Sequence, residues 1–272
     1  MAAQSSTSPD LKRMSLDGVD LAYYEEGSGP PLLALHGMIE LPRWQPYHAA
    51  LARTFRVIAP NHPGFSGSSR PDWMESIDDL AFFYLDLLRA LNVREARLLG
   101  TSFGGWIAAE MAIRCSAGLK SLALVNPLGL RVMEQPFGPP GGSVADWLVL
   151  EPDELRAKAW HDPSTGDRLK LPAEEATTDD ELTEMIVNRQ AATVYAWRPF
   201  FYNPRLQNWL HRIDIPTLIV WGAHDGVAQR GVGEAYAARI PGARLQLMEG
   251  SAHMPHLEQP EEFVRLAGEF LA

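Results

Sequence analysis

Short apolar runs alternate with amphipathic stretches along most of this chain, and no other feature limits its possible folds as strongly. Pro31–Leu35, Arg56–Pro60 and Leu119–Val125 are mainly apolar, as expected of strands that are buried on both faces. Between such runs lie stretches like Glu75–Leu91, whose apolar residues have helical spacing. Alternating strands and helices form βα units around a mostly parallel sheet. The predicted fold class is therefore α/β, with an open twisted sheet flanked by helices.

The same pattern predicts the other elements around the sheet. Leu11–Glu26 alternates loosely about Asp17-Gly18, a dipeptide typical of tight turns, and indicates an antiparallel hairpin at one sheet edge. The remaining predicted elements are the strands Arg97–Leu99, Pro216–Trp221 and Arg244–Met248 and the helices Trp44–Thr54, Ser102–Arg114, Gly233–Arg239 and Glu258–Leu271.

The alternation stops between residues 128 and 208, where no strand-like run occurs. Helical stretches such as Asp153–Trp160 and Asp179–Trp197 are separated there by joints rich in Pro and Gly. This pattern predicts a helical cap at 128–208, inserted into a core formed by residues 1–127 and 209–272. Because open α/β sheets bind ligands beyond the carboxyl ends of their strands, we expect the cap to cover the ligand site.

Charge and composition exclude several classes of function. The formal net charge is −10, which argues against nucleic acid or an anionic membrane as a partner, since both need clustered Lys and Arg. A small-molecule substrate fits better. Cys115 is the one cysteine of the chain and excludes an intramolecular disulfide framework. The sequence has no leader pattern and no apolar run long enough to span a membrane, so we expect a cytoplasmic location. Secretion is the alternative if a leader has been removed. The oligomeric state is left open.

Gly100-Thr101-Ser102-Phe103-Gly104 has the pattern Gly-x-Ser-x-Gly between a predicted strand and a predicted helix. Such a sharp turn strains the serine backbone, needs small neighbours, and directs a helix N-terminus at developing negative charge. Ser102 is therefore a candidate nucleophile. The pattern also arises by chance, so the interpretation depends on an acid and a base at later strand ends.

Asp225 is the candidate acid. It follows the predicted strand Pro216–Trp221, in a loop where a carboxylate can orient an imidazole. Its alternative role is that of a turn residue before Gly226. Glu249, directly after the last strand, is the rival acid, whereas Asp214 precedes its strand and faces the other sheet edge.

His253 is the candidate general base, because its loop follows the last strand and precedes the closing helix. His224 and His256 are its rivals, the first beside the acid and the second expected to enter the helix. Most lone histidines are solvated or packed in a core, and we interpret the rest in that way.

The end of the first buried strand indicates an oxyanion hole. His36-Gly37-Met38 stands there, and the backbone N–H groups of Met38 and Phe103 are the candidate donors. His36 itself is interpreted as structural. No metal ligands are predicted for this site.

Five segments, taken together and in order, resemble one superfamily. They are His36-Gly37, Asn61–Ser68, Gly100–Gly105, Trp221–Asp225 and His253–Pro260. On these segments the chain is identified as a member of the α/β-hydrolase superfamily, in a serine-nucleophile branch that includes esterases and carbon–carbon hydrolases. The resemblance implies an α/β-hydrolase fold, the order Ser…Asp…His, a cap and no cofactor. A serine at position 102 also argues against the dehalogenases and epoxide hydrolases, which need a carboxylate there.

The function expected from these residues is that of a serine hydrolase acting on a carboxylic ester, lactone or thioester of a small, largely apolar substrate. Cap aromatic residues suggest an apolar pocket, for which Ile39, Trp197 and Phe201 are the candidates, although core packing explains most such residues equally well.

Three alternatives stay open. A carbon–carbon hydrolase of ring-fission products is favoured by cap arginines that could bind an acidic substrate, namely Arg131, Arg156, Arg189 and Arg198. Against it, Met38–Leu41 stands where those relatives usually have further Gly and Ser. A cofactor-independent perhydrolase would use the same three side chains. A small-molecule receptor on the same fold is disfavoured by the presence of all three.

Overall fold

The structure, a computed structural model, describes residues 8–38, 40–132, 143–146, 149–165, 178–197 and 200–272. These residues contain one eight-stranded sheet with the strand order β1-β2-β4-β3-β5-β6-β7-β8. Only the pairs β1–β2 and β2–β4 of this sheet are antiparallel. The strands are β1 (Lys12–Leu16), β2 (Val19–Glu26), β3 (Pro31–Leu35), β4 (Arg56–Pro60), β5 (Ala96–Thr101), β6 (Leu119–Val125), β7 (Thr217–Gly222) and β8 (Arg244–Met248).

Helices pack around this sheet, and several begin at the capping residues that their sequences supply. Ser76 caps the second helix in a reciprocal capping box with Asp79, and Thr178 accepts from Glu181 N–H at the start of the fifth. The described α-helices are α1 (Pro46–Leu51), α2 (Ile77–Ala90), α3 (Ser102–Arg114), α4 (Pro152–Ala159), α5 (Asp179–Ala196), α6 (Leu206–Trp209), α7 (Arg230–Arg239), α8 (Pro255–Glu258) and α9 (Pro260–Leu271).

The predicted fold class is confirmed, and most element predictions need only small corrections. Strands β3, β4, β6 and β8 and helix α3 have the predicted bounds. Helix α1 is shorter than the predicted Trp44–Thr54 and begins at Pro46, a position where a missing N–H costs nothing. The predicted helix Glu258–Leu271 corresponds to α9, which begins at Pro260, and Glu258 instead ends the separate short helix α8. Gln259 lies between them with a φ of −130°, because a residue before proline avoids the helical conformation.

The parallel strands bring distant parts of the chain to one edge of the sheet. Strands β5 and β7 are buried along their whole length, as expected for the centre of a sheet covered on both faces. Since β3, β5, β6, β7 and β8 run in the same direction, the loops after them meet beyond their carboxyl ends. The loops that carry Ser102, Asp225 and His253 all start at this edge.

The described part of residues 128–208 contains α4 and α5 and has contacts to the sheet layer. On α5, Asn188 Oδ1 accepts from the backbone N–H and the hydroxyl of Ser66, and Tyr195 donates to Pro63 O over 2.9 Å. The division into a core and a cap stays a prediction. Of the helices within the described ranges, none has the length and apolar character needed to cross a membrane.

Candidate active site

Ser102 lies on the strained turn that joins β5 to α3. Its φ is 50°, which is unfavourable for a residue with a side chain. The turn leaves no room beside it, because a Cβ on Gly104 would lie 2.1 Å from Leu35 O and one on Gly100 would lie 2.4 Å from Gly104 O. The two flanking glycines therefore permit the close approach that holds the serine at the head of the helix.

The structure brings the three predicted side chains into one hydrogen-bonded chain. Nε2 of His253 lies 2.8 Å from Oγ of Ser102, and Nδ1 of His253 lies 2.9 Å from Oδ2 of Asp225. The side chains of His253 and Asp225 are fully buried. A carboxylate can only accept, so Nδ1 carries the proton and Nε2 presents its lone pair to the serine hydroxyl. This is the arrangement needed to remove a proton from Ser102.

Three further hydrogen bonds hold the carboxylate of Asp225. Its Oδ1 accepts from Val227 N–H over 2.8 Å and from Ala228 N–H over 2.9 Å, while Oδ2 also accepts from Nδ2 of Asn126 over 2.5 Å. Oδ1 of Asn126 in turn accepts from Gly222 N–H at 3.1 Å. Asn126 was not predicted from the sequence. The available signal was its position directly after β6, at the same sheet edge as the other site residues.

The rival acid and bases have other surroundings. Glu249 is exposed at the end of β8. His224 is exposed as well, and its ring stacks on that of His161 with the centroids 4.3 Å apart. His256 is buried in α8, as its predicted helix entry implies, and Nε2 faces Oε2 of Glu40 at 3.1 Å. The roles of acid and base stay predictions, and the geometry favours Asp225 and His253.

Helix α4 and the residues after it hold the two loops that carry Asp225 and His253, the candidate acid and base. His253 N–H donates to Ala159 O, and Gly226 N–H donates to Lys158 O, both over 3.0 Å. The carboxylate of Glu258 accepts from Ala252 N–H and from His161 N–H, each over 2.6 Å. Residues of the predicted cap thus contact the backbone of both the loop of Asp225 and the loop of His253.

The candidate oxyanion-hole donors lie on the segments that flank Ser102. Phe103 is the second residue of α3, where a backbone N–H has no partner within the helix. Gly37 precedes Met38 and touches the serine, since a Cβ on Gly37 would lie 3.2 Å from Cβ of Ser102. Both segments therefore adjoin the nucleophile, and the assignment of Met38 and Phe103 stays a prediction.

Two buried histidines join the loop after β3 to the loop after β4. His62 N–H donates to Nε2 of His36 at 3.2 Å, and Nε2 of His62 lies 2.9 Å from His36 O. The hydroxyl of Tyr84 lies 2.5 Å from Nδ1 of His62. Each ring thus uses one nitrogen as an acceptor, which requires the neutral form. Burial lowers the pKa of both histidines, that of His62 strongly. His36 is structural in this arrangement, as its sequence position indicated.

We expect these buried histidines to make the fold sensitive to mild acid. Burial also lowers the pKa of His48, to about 3. In the unfolded chain a histidine takes up a proton near pH ~6.5, whereas the buried histidines of the folded protein stay neutral. Their contribution to the stability of the folded state is therefore complete above that pH and is lost as the pH falls below it. Each such group should lower the free energy of unfolding by about 1.4 kcal/mol per pH unit. Urea unfolding of the wild type and of His48→Gln at several pH values between these two pKa values measures the slope.

The matched control for this experiment is His211→Gln, because His211 is exposed in the folded protein. The slope of the free energy of unfolding against pH should decrease in His48→Gln by the contribution of one proton, about 1.4 kcal/mol per pH unit. It should stay unchanged in His211→Gln. An unchanged slope in His48→Gln would show that His48 does not contribute to the acid sensitivity.

The pocket candidates have different environments. Phe201 is fully buried and packs at 4.4 Å against Phe200, whereas Trp197 is 42% exposed. Ile39 lies outside the described residues. Closer to the nucleophile, the ring of Phe103 packs between those of Phe65 at 6.1 Å and Tyr195 at 6.4 Å. The residue that follows Ser102 thus lies in an aromatic cluster, and the choice of pocket residues stays a prediction.

The candidate arginines of the cap are partly engaged by neighbours. The guanidinium of Arg131 lies 5.4 Å from the ring centroid of Tyr202 and donates to its hydroxyl, and Arg156 pairs with Asp153 at 3.2 Å. Arg189 is exposed and Arg198 lies outside the described residues. Within the described ranges, no group of three or more His, Cys, Asp or Glu side chains is arranged to hold a metal ion.

A model of the alpha/beta hydrolase family matches residues 32–266 of this chain. The matched range includes every segment of the site described above, from the loop after β3 to the helix after His253.

Two named relatives and one solved structure are hydrolases or lipases whose names describe different activities. 2-Hydroxymuconate semialdehyde hydrolase of Pseudomonas sp. (strain CF600) is 27% identical, over 97% of this chain and 95% of its own length. Monoacylglycerol lipase ABHD6 of Mus musculus is 25% identical, over 90% of this chain and 76% of its own length. Among solved structures, a hydrolase from Pseudomonas aeruginosa PA01 is 26% identical and has a TM-score of 0.71, over 97% of this chain and 98% of that one.

Proposed function

The chain belongs to the alpha/beta hydrolase family, and from this premise we propose that it is a serine hydrolase that cleaves a carboxylic ester, lactone or thioester of a small, largely apolar substrate through an acyl-enzyme. One observation carries the proposal. Ser102, on a strained turn, lies 2.8 Å from an imidazole whose other nitrogen is held by a buried carboxylate. A serine in this setting is an activated nucleophile.

The proposed reaction begins when Oγ of Ser102 attacks the substrate carbonyl while Nε2 of His253 takes the hydroxyl proton. Asp225 keeps the ring in the required tautomer and stabilises its positive charge. The backbone N–H groups of Met38 and Phe103 stabilise the negative charge on the carbonyl oxygen. His253 then returns the proton to the leaving alcohol or thiol, and an acyl-enzyme remains. Water attacks this ester, His253 removes its proton, and the acid leaves with Ser102 restored.

The preference for an apolar acyl group rests on the surroundings of Ser102. Phe103, the residue directly after Ser102, packs in an aromatic cluster with Phe65 and Tyr195. The formal net charge of −10 also disfavours an anionic substrate. The substrate that fits this site best is a small neutral molecule with an acyl group.

A carbon–carbon hydrolase is the second candidate. The observation in its favour is the 27% identity to 2-hydroxymuconate semialdehyde hydrolase over nearly the whole chain. Such a substrate carries an acidic group and needs a cation beside the nucleophile. The guanidinium groups of Arg131 and Arg156 already have partners within the protein. Their engagement favours hydrolysis of an ester over cleavage of an acidic carbon–carbon substrate.

A substrate panel tests the proposal. It contains p-nitrophenyl esters of graded acyl length, a lactone, an acyl thioester and a ring-fission diketone, each assayed for kcat/KM. We expect the highest value for an ester of intermediate or long acyl chain, with the acyl group on Ser102 in intact-protein mass spectrometry after rapid quenching.

Other outcomes of the panel separate the alternatives. Cleavage of the diketone at more than tenfold the best ester rate would assign the carbon–carbon hydrolase instead. Tight binding of a panel member without turnover and without acyl-enzyme would assign the receptor.

A further inference from the structure

A second carboxylate and histidine pair lies buried beside the candidate active site. Oε2 of Glu40 is 3.1 Å from Nε2 of His256, and both side chains are 1% exposed. The ring of Tyr47 stands edge-on to His256 at 5.1 Å, and that of Phe263 lies at 5.9 Å. The pair is thus enclosed by aromatic rings. Since the proposed reaction uses neither group, their burial needs another explanation.

The other oxygen of Glu40 contacts two segments on which the proposed reaction depends. Oε1 accepts from Gly37 N–H and from the hydroxyl of Thr101, each over 2.5 Å. Gly37 precedes Met38, the candidate oxyanion donor, and Thr101 precedes Ser102. The carboxylate therefore joins the loop of the oxyanion hole to the turn of the nucleophile.

The histidine end of the pair reaches the third segment. His256 follows His253 by three residues and is the second residue of α8. Its Nε2 carries the proton in this contact, because the carboxylate offers only lone pairs. The two carboxylate oxygens of Glu40 thus contact three segments: the loop of the candidate oxyanion hole, the turn of Ser102 and the segment that carries His253.

The charge state of Glu40 agrees with this role. Burial alone would raise its pKa, but the charge and hydrogen bond of His256, together with the donors on Gly37 and Thr101, hold the pKa well below its usual range. An ionised carboxylate accepts stronger hydrogen bonds than a neutral one. It can therefore hold the three segments more rigidly than a neutral side chain of the same shape.

We propose that Glu40 is a positioning residue, which fixes the oxyanion hole, Ser102 and His253 in the relative geometry that the transition state needs. The inference rests on the proposed serine mechanism and deepens it. Oxyanion donors stabilise the transition state more than the bound substrate. Loss of their alignment should therefore lower kcat and change KM little.

Two pairs of variants at the carboxylate and its donor test the inference. Glu40→Leu removes the acceptor, whereas Glu40→Gln keeps an oxygen in the same place. Thr101→Val removes one donor at constant shape, whereas Thr101→Ser keeps the hydroxyl. We expect kcat to fall on the order of 10² in Glu40→Leu, the range for loss of an oxyanion donor, and about tenfold in Thr101→Val. Thr101→Ser should keep most of the rate, and Glu40→Gln, which keeps the oxygen but not the charge, should lie between Glu40→Leu and the wild type. KM should stay within about twofold throughout.

The matched control is Glu110→Leu, which also removes a fully buried carboxylate, here one that accepts from Trp106 and Asn203 at the far end of α3. Glu110→Leu should lower the melting temperature without lowering kcat. A second measurement is the affinity for a boronic acid that forms a tetrahedral adduct on serine. It should weaken in Glu40→Leu by the same factor as kcat/KM.

The possible failures are distinguishable. A wild type that neither hydrolyses an ester nor reacts with a fluorophosphonate refutes the proposed function. An active wild type with unchanged kcat in folded Glu40→Leu, or with an equal loss in Glu110→Leu, refutes the positioning role. If Glu40→Leu does not fold, the Thr101 pair decides, and equal rates in Thr101→Val and Thr101→Ser overturn the inference.

Discussion

Ser102→Ala is expected to lower kcat for the best ester of the panel by about 10⁶-fold, the size of effect seen when a serine hydrolase loses its nucleophile. The fold should persist, because the Cβ remains and the turn depends on Gly100 and Gly104. A fluorophosphonate probe should label the wild type at Ser102 and leave Ser102→Ala unlabelled. Peptide mapping of the adduct by mass spectrometry makes the measurement.

The control for this prediction is Ser121→Ala. Ser121 is also buried, on β6, and its hydroxyl has no hydrogen-bond partner among the described residues. Its removal should change neither labelling nor kcat. An adduct at any other serine, or an esterase rate that survives in Ser102→Ala, would remove the nucleophile assignment and with it the acyl-enzyme.

His253→Ala should have an effect of similar size, about 10⁶-fold in kcat, because the nucleophile then has no base within reach. The ring of His253 is the group that lies 2.8 Å from Oγ of Ser102. In the wild type, kcat/KM should rise with pH as this base loses its proton. The variant should lack that rise. Steady-state rates across the pH range, with circular dichroism to verify folding, make the comparison.

His224→Ala is the control, since His224 lies beside Asp225 in the chain yet is exposed and stacked on His161. It should keep the rise with pH and most of the rate. A wild-type pH profile in His253→Ala would mean that another group accepts the serine proton. His256 would then be the first to test, because it is buried and lies three residues further along the chain.

The strained turn could be predicted because its requirements are local. A Gly two residues before and another two residues after Ser102 appear directly in the sequence, between a strand pattern and a helix pattern. The structure places those glycines where a Cβ would meet backbone oxygens. Asp225 and His253 could also be located, since each follows a predicted strand and parallel strands end at one edge.

Other parts of the site depend on contacts that no local pattern contains. Asn126 meets Asp225 across 99 positions of the chain, and Glu40 meets His256 across 216. Glu40 stands between Ile39 and Leu41 in the loop after β3 and has no pattern that distinguishes it from a surface carboxylate. Only the packed structure shows that it is buried and shared by three segments.

The histidines show the same division. Their positions in loops made His224 and His256 rivals of His253, because sequence distance from a strand end does not specify the direction of a side chain. In the structure His256 turns toward Glu40 and His224 toward His161. The direction in which the backbone presents each side chain decides which ring reaches Ser102.

By itself, the sequence determined the α/β class, the order of the elements and the turn of Ser102, because hydrophobic period, capping and glycine spacing act over a few residues. The tertiary structure alone decided which imidazole faces the serine, how Asn126 holds the carboxylate of Asp225, and that Glu40 contacts three separate segments. Those contacts form between segments up to 216 positions apart, and their geometry follows from how the strands pair and the helices pack, which no short stretch of sequence encodes.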